Sequence, residues 1–116
     1  MTRRVRIHAD FQADLRERLE RLAGTCDSAK IKALRVGIDE AIELISQFPD
    51  VGTIEASQGP IRMRRLILRR MPYVIWFVRD TSEPDGDLWF LRIFHARQNR
   101  PLASTAVPRK VKRTVR

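Results

Sequence analysis

Apolar and polar residues alternate at the start of the chain and then change period. Residues 3–8 (RRVRIH) alternate with a period of two, which predicts a short, half-buried strand. In residues 10–23 the apolar positions recur every three or four residues, which is the period of an amphipathic helix. Asp10 is the predicted cap of its first turn and Gly24 its predicted end.

A second apolar stripe at helical spacing runs from Ile31 to Phe48, and Pro49 and Gly52 are predicted to stop this helix. Only a few residues join the two helices, so they are expected to lie antiparallel as a hairpin. Each helix has a single apolar stripe, and the hairpin must therefore pack on another layer.

Three later segments have the composition of strands, and we predict strands at Ile61–Arg69, Tyr73–Val78 and Leu88–Phe94. In the first segment Ile61 and Met63 are at odd positions and the two later leucines are at even positions, so these side chains would face opposite sides of a regular strand. This change predicts a bulge near Arg64 and Arg65. Turn residues separate the three segments, as expected for an antiparallel meander.

These elements predict an α+β fold of order β-α-α-β-β-β. The helical hairpin packs on one face of a small, mainly antiparallel sheet, and the opposite face is expected to be uncovered. Residues 1–101 are predicted to form a single domain. Residues 102–116 carry five basic side chains and no acidic one, and we predict a mobile basic tail there.

Composition limits the chemistry that the chain can perform. With 116 residues it has room for one modest core. The lone cysteine, Cys26, excludes an intramolecular disulfide, and with only His8 and His95 as histidines we expect no metal site and no cofactor. No apolar stretch approaches the length of a membrane span, so a cytoplasmic protein without membrane contact is expected.

The net charge of +9 is concentrated in the second half of the chain. Residues 1–60 hold 9 basic and 10 acidic side chains, whereas residues 61–116 hold 14 basic and 4 acidic ones. A bias toward arginine over lysine does not explain this segregation. A basic surface of this kind suits a nucleic acid or an acidic protein.

Arginines crowd the first predicted hairpin, with five of them in nine residues. We predict that these and one arginine near the last strand bind the nucleic acid or other target: Arg62, Arg64, Arg65, Arg69, Arg70 and Arg97. The alternative is that some of them form a charged edge that prevents sheets from aggregating.

The uncovered sheet face is predicted to be both apolar and basic, which is typical of a partner site. The residues predicted to contact the partner are Tyr73, Trp76, Phe90, Arg92 and Phe94. Two alternatives are oligomerisation through this face and folding of the tail back over it.

His95 ends the last predicted strand close to Arg97, where an imidazole can act as an acid or base on a phosphodiester. More often such a histidine makes a structural hydrogen bond. The candidates for a catalytic site are Arg62, Arg64, Arg65, Arg92 and His95. No known catalytic motif, such as a phosphate-binding glycine loop, HExxH or GxSxG, occurs in the chain.

The order of elements, the segment IRMRRLILRRMPYVIWFVRD and the ending DLWFLRIFHARQNRP together resemble the RelE/ParE superfamily of bacterial type II toxins. The resemblance spans residues 5–101. It implies a toxin that is held inactive by a cognate antitoxin encoded in the adjacent gene, whose amphipathic segment covers the toxin. The aromatic sheet face around Arg92 is the predicted antitoxin contact.

The superfamily contains two mechanisms. RelE-like members cleave mRNA on the ribosome with basic residues and often a carboxy-terminal tyrosine, whereas ParE-like members inhibit DNA gyrase without being nucleases. In this chain no aromatic residue follows Phe94, and HARQNRP is closer to the ParE-like pattern. The resemblance therefore favours a non-enzymatic, ParE-like toxin that inhibits growth and stabilises plasmids. The alternatives are a RelE-like endonuclease and a non-toxic nucleic-acid-binding domain.

Overall fold

The computed structural model describes residues 5–25, 28–58, 61–69, 71–79 and 86–97. In chain order the elements are β1 (Val5–Ile7), α1 (Ala9–Gly24), α2 (Ser28–Gln47), β2 (Thr53–Gln58), β3 (Ile61–Ile67), β4 (Tyr73–Arg79) and β5 (Leu88–His95). Arg70, residues 3–4 and the predicted tail at 102–116 lie outside the described residues.

The five described strands form one sheet of order β1-β5-β4-β3-β2. β1 pairs parallel to β5, and the other three pairings are antiparallel. The two helices pack on this sheet, so the predicted α+β fold with a mainly antiparallel sheet is confirmed. Neither helix in the described part of the chain is both long and apolar enough to cross a membrane.

β2 is a strand that the sequence patterns did not predict. Its sequence, TIEASQ, is mostly polar and lacks the alternation of a half-buried strand. β2 pairs only with β3 among the described strands, and its register shifts between Ile54 and Ala56. An edge strand with a register shift buries little side-chain surface, so its sequence needs no regular apolar pattern.

The ends of the helices depend on local hydrogen bonds. α1 begins after His8, whose Nδ1 accepts a hydrogen bond of 3.0 Å from the backbone N–H of Asp10, so the predicted Asp10 cap is wrong. The hydroxyl of Thr25 donates to the carbonyl of Leu22 at the other end, over 2.8 Å. α2 stops at Gln47, two residues before Pro49, as expected from the conformational restriction that proline imposes on the residue before it.

The helix-facing side of the sheet holds the main core. Apolar side chains of both helices, including Phe11, Leu34 and Ile45, pack against strand residues such as Ile75 and Phe90. All five are at most 2% exposed. The helical stripes that predicted amphipathic helices are therefore the surfaces that cover the sheet.

The predicted bulge in β3 is wrong. β3 pairs with β4 in unbroken register from Met63 opposite Val78 to Ile67 opposite Val74. The change in apolar parity has a simpler cause, because the two apolar groups of this segment belong to different cores. Met63 packs on the face away from the helices, and Leu66 packs on the helix-facing core.

The face away from the helices forms a second buried cluster, so the expectation of an uncovered apolar face is wrong. Its members are 0–7% exposed: Ile61, Met63, Val74, Trp76, Val78, Trp89, Leu91 and Phe94. Trp76 and Phe94 meet edge to face, with ring centroids 5.1 Å apart. Large apolar side chains on both faces of a central strand are removed from water together.

The five predicted partner-contact residues do not share a face. The pairing of β4 with β5 shifts between Trp76 and Phe77, which leaves Leu91 as an extra residue in β5. Since one extra residue reverses the parity of a strand, Phe90 faces the helices whereas Phe94 faces the opposite cluster. Tyr73 also packs with the helix-facing core.

Candidate functional site

Arg92 is held by α1. Its Nε and Nη2 donate to the two carboxylate oxygens of Asp14 over 2.6 and 2.9 Å. The backbone N–H of Ile93 donates to the same carboxylate over 3.2 Å. The hydrogen bond to Asp14 raises the pKa of Arg92, which stays a cation. This two-pronged pair joins the first helix to the last strand, and Arg92 is therefore occupied as a structural residue.

The carboxyl end of α2 and the adjoining sheet carry a cluster of arginines around one acid. We call the set Arg62, Arg64, Arg79 and Asp50 the Asp50 cluster. Arg64 donates to the backbone carbonyl of Asp50 over 2.8 Å. The Asp50 carboxylate lies 3.7 Å from Arg79 and 4.0 Å from Arg64, and its side chain is 70% exposed.

Strand geometry explains why these arginines meet. Arg62 and Arg64 are two residues apart in β3 and so point to the same side of the sheet. Antiparallel pairing of β3 with β4 brings Arg79 beside them, and together with Asp50 the three arginines line a cavity of about 50 Å³. With three cations and one loosely held carboxylate, the cluster can bind an anionic group.

The remaining predicted target-binding arginines lie elsewhere. Arg65 has the opposite parity to Arg64, and its Nε lies 3.4 Å from a carboxylate oxygen of Glu55 in β2. Arg69 is exposed after the end of β3, and Arg70 lies outside the described residues. The described arginines of this segment are thus distributed over two faces and two ends of the sheet.

The other end of β4 carries a group of rings and cations. We call the set Arg18, Tyr73, His95 and Arg97 the Tyr73 cluster. Tyr73 and His95 are opposite each other in the β4–β5 pairing, and their rings meet edge to face at 5.3 Å. The guanidinium carbon of Arg18 lies 5.4 Å from the centre of the Tyr73 ring. The backbone N–H of Arg97 donates to His95 Nδ1 over 3.1 Å.

Both titratable rings of the Tyr73 cluster are shifted toward their neutral forms. Burial raises the pKa of Tyr73, and the nearby Arg18 opposes this shift in part. Burial lowers the pKa of His95, and the positive charges of Arg18 and Arg97 lower it further. At neutral pH His95 is therefore a neutral imidazole, and since Nδ1 accepts a hydrogen bond, its proton lies on Nε2.

The five catalytic candidates do not meet at one site. His95 lies at the Tyr73 end of β4, whereas Arg62 and Arg64 lie near Arg79 at the other end. Arg79 is six positions beyond Tyr73 in β4, a distance of about 20 Å at roughly 3.3 Å per residue. A single phosphodiester cannot contact both ends.

Comparison with known protein families identifies the chain. Residues 5–100 match the ParE toxin of type II toxin-antitoxin systems (parDE). The chain belongs to the ParE toxin family. The resemblance to the RelE/ParE superfamily is thereby confirmed, and this ParE-family protein is the toxin component of a type II toxin-antitoxin system. Comparison with individual curated proteins gives no match.

In this ParE-family toxin, sequence reasoning missed two residues of the candidate sites, Asp50 and Arg18, and it placed Arg79 near the arginine-rich hairpin without including it in the predicted target-binding set. Asp50 follows a helix and resembles an ordinary loop acid. Arg79 is the first charged residue after the apolar run of β4, a position that indicates the end of a buried strand. Arg18 lies on α1 among several exposed charges, and only packing of α1 on β5 brings it to Tyr73.

Proposed function

We propose that this ParE-family toxin inhibits growth by binding DNA gyrase, that it does so without cleaving nucleic acid, and that a cognate antitoxin neutralises it. The observation that carries the proposal is the Asp50 cluster, in which three arginines gather around one exposed carboxylate. Such a surface is suited to binding an anionic partner through charge-assisted hydrogen bonds.

Two further observations support binding over catalysis. The catalytic candidates are divided between the two ends of the sheet, and Arg92 is engaged by Asp14. An RNA-cleaving site needs its general acid or base within hydrogen-bond reach of the phosphate that the arginines hold. His95 is opposite Tyr73, whereas the Asp50 cluster lies beside positions 77 to 79 of β4, about 13–20 Å further along the strand, which does not meet that requirement.

The Asp50 cluster also has an apolar neighbour. Phe48 lies two residues before Asp50 and is 59% exposed. Aromatic residues and arginines are among the residue types enriched in protein-binding hot spots. We propose that gyrase contacts this surface and that the antitoxin blocks it, with acidic side chains meeting Arg62 and Arg64.

The antitoxin contact predicted from the sequence stays a prediction, but burial limits which residues can take part. Tyr73, Trp76, Phe90 and Phe94 are each at most 6% exposed, so they can support a contact only from beneath its surface. The large apolar side chains that are exposed in the described residues are Val36, Leu44, Phe48, Ile54 and Ile67. The apolar part of an antitoxin segment is expected to pack on members of this set.

The test uses the full chain, with and without Arg62→Gln, in a supercoiling assay with purified DNA gyrase. Arg62 is exposed, and none of the described hydrogen bonds or ion pairs involves its side chain, so its replacement changes the surface without disturbing the fold. Loss of one charge-assisted hydrogen bond is expected to weaken inhibition about tenfold or more. Arg69→Gln, which removes an equal charge away from the cluster, is the matched control and is expected to retain inhibition.

Induction in a host that lacks the antitoxin separates the remaining alternatives. DNA-damage signalling and filamentation are expected for a gyrase inhibitor, and co-expression of the adjacent gene is expected to restore growth. Cleavage of mRNA at ribosomal A sites without inhibition of supercoiling would establish the RelE-like alternative instead. Normal growth and no partner in the adjacent gene would leave a non-toxic nucleic-acid-binding domain.

A further inference from the structure

The Asp50 carboxylate already occupies part of the surface on which the proposed function depends. Its Oδ1 lies 4.0 Å from Arg64 Nε and 3.7 Å from Arg79 Nη2. Both distances exceed the length of an N–H···O hydrogen bond, about 2.7–3.2 Å, so Asp50 attracts these two cations without a hydrogen bond to either. The carboxylate is therefore a weakly held internal ligand of the Asp50 cluster.

The exposures of these three side chains show that the internal pairing is incomplete. The Asp50 side chain is 70% exposed, whereas the side chains of Arg64 and Arg79 are 21% and 31% exposed. The two arginines have thus lost much of their contact with water, while the acid beside them keeps most of its own. A carboxylate that approached both guanidinium groups at hydrogen-bond distance would neutralise them better than Asp50 does.

Arg64 keeps its anchor when the Asp50 carboxylate moves away. Its Nη1 donates a 2.8 Å hydrogen bond to the backbone carbonyl of Asp50, and this bond does not involve the carboxylate. The main chain therefore holds one guanidinium in place for a ligand, which reduces the conformational entropy lost on binding. Arg62 and Arg79 line the same cavity of about 50 Å³. Since a cavity that holds benzene measures about 150 Å³, this one accepts a carboxylate and excludes a nucleobase.

We propose that the Asp50 cluster recognises an aspartate or glutamate side chain of a protein partner, and that this side chain displaces the Asp50 carboxylate, an inference that rests on the proposed function. Asp50 is then a specificity residue of the surface. It offers the arginines a weak competitor, which lowers the affinity for every acidic partner. Only a partner whose carboxylates contact the arginines closely overcomes this competition.

Asp50→Asn tests the proposal, because it removes the competing charge and keeps both the size of the side chain and the backbone carbonyl that holds Arg64. The probe is a fluorescently labelled, amidated peptide of glutamate and alanine, and its affinity for the full chain is measured by fluorescence anisotropy. Removal of a carboxylate that pairs weakly with two arginines is expected to tighten peptide binding about fivefold or more.

Asp39→Asn is the matched control, because it removes the same charge from an exposed position of α2. Asp39 lies about 12 Å before the end of the helix at roughly 1.5 Å per residue, which exceeds the screening length of about 8 Å at physiological ionic strength. Its replacement is expected to change peptide affinity less than about twofold. Asp50→Glu retains the charge and is expected to bring no gain. Equal gains for Asp50→Asn and Asp39→Asn, or no gain for Asp50→Asn, would overturn the proposal.

Peptide binding and gyrase inhibition can fail separately, since the peptide assay contains no gyrase. A gain in peptide affinity for Asp50→Asn without any inhibition of supercoiling would support the carboxylate site and refute gyrase as its partner. Inhibition of supercoiling together with a peptide affinity that does not respond to Asp50→Asn would support the proposed function and overturn the role of Asp50. A short single-stranded oligonucleotide is the last probe. If Asp50→Asn tightens its binding and not that of the peptide, the cluster recognises phosphate groups and the carboxylate proposal is wrong.

Discussion

Replacement of Asp14 by alanine is expected to be among the most damaging polar substitutions in the described part of the chain. The Asp14 carboxylate accepts two hydrogen bonds from Arg92 and one from the backbone of Ile93. Asp14→Ala removes all three and leaves a partly buried guanidinium without a counter-ion. The packing of α1 against β5 loses its main polar connection.

The exposure of the pair sets the size of the effect. Exposed ion pairs contribute about 0–1 kcal/mol, whereas removing one partner of a fully buried pair costs about 3–5 kcal/mol. The side chains of Arg92 and Asp14 are 27% and 17% exposed, which lies between these limits. We therefore expect Asp14→Ala to lower the free energy of unfolding by about 2–3 kcal/mol, equivalent to a Tm lower by roughly 10 °C or more.

Urea denaturation followed by circular dichroism measures this loss. In a double-mutant cycle with Arg92→Met, the double variant is expected to be more stable than the sum of the single effects by about 1–2 kcal/mol. Glu17→Ala is the control, because its pair with Arg21 is more than 60% exposed on both sides and is expected to change stability by about 0.5 kcal/mol or less. A loss below about 1 kcal/mol for Asp14→Ala, or an equal loss for Glu17→Ala, would refute the reasoning.

Three other predictions concern the backbone, the core and pH. Gly52→Ala is expected to destabilise by about 2 kcal/mol or more in urea denaturation, since Gly52 has φ +83° and an added Cβ would lie 2.1 Å from the carbonyl oxygen of Arg65. Gly24→Ala, whose Cβ meets nothing within 4 Å, is expected to be neutral or slightly stabilising. Leu34→Ala is expected to cost about 3 kcal/mol in the same assay because the side chain is fully buried. By NMR, the pKa of His95 is expected to lie below its usual value of 6.5. Its contribution to stability is therefore complete above pH 6.5 and declines as the pH falls toward the lowered pKa. An NMR titration midpoint of His95 at or above pH 6.5 would contradict the lowered pKa.

The elements with one buried face were predictable from the sequence. A helix that packs on a sheet needs an apolar residue at every third or fourth position, and the stripe from Ile31 to Phe48 therefore predicts α2 closely. A strand with apolar residues at both odd and even positions has two apolar faces, and this pattern likewise predicts β4 as the central strand. Tyr73 to Val78 are all buried. β2 was not predictable in this way, because it buries little apolar surface.

The candidate sites depended on tertiary structure to a much greater degree. Arginines are concentrated between residues 62 and 70 of the sequence. Because side chains alternate between the two faces along β3, Arg64 contacts Asp50 and Arg65 contacts Glu55. Arg18 reaches Tyr73 only because α1 packs on β5. These contacts join residues that are far apart in the sequence, so no pattern among neighbouring residues predicts them.

The sequence by itself determined the fold class, the family and the basic character of this toxin, because periodicity, composition and motif order are properties of neighbouring residues. Tertiary structure alone decided which charges are neutralised and which face each aromatic ring occupies. One extra residue at Leu91 reverses the parity of β5, and so separates Phe90 from Phe94. Strand register is set by pairing between distant segments, and for that reason it could not be deduced from either strand alone.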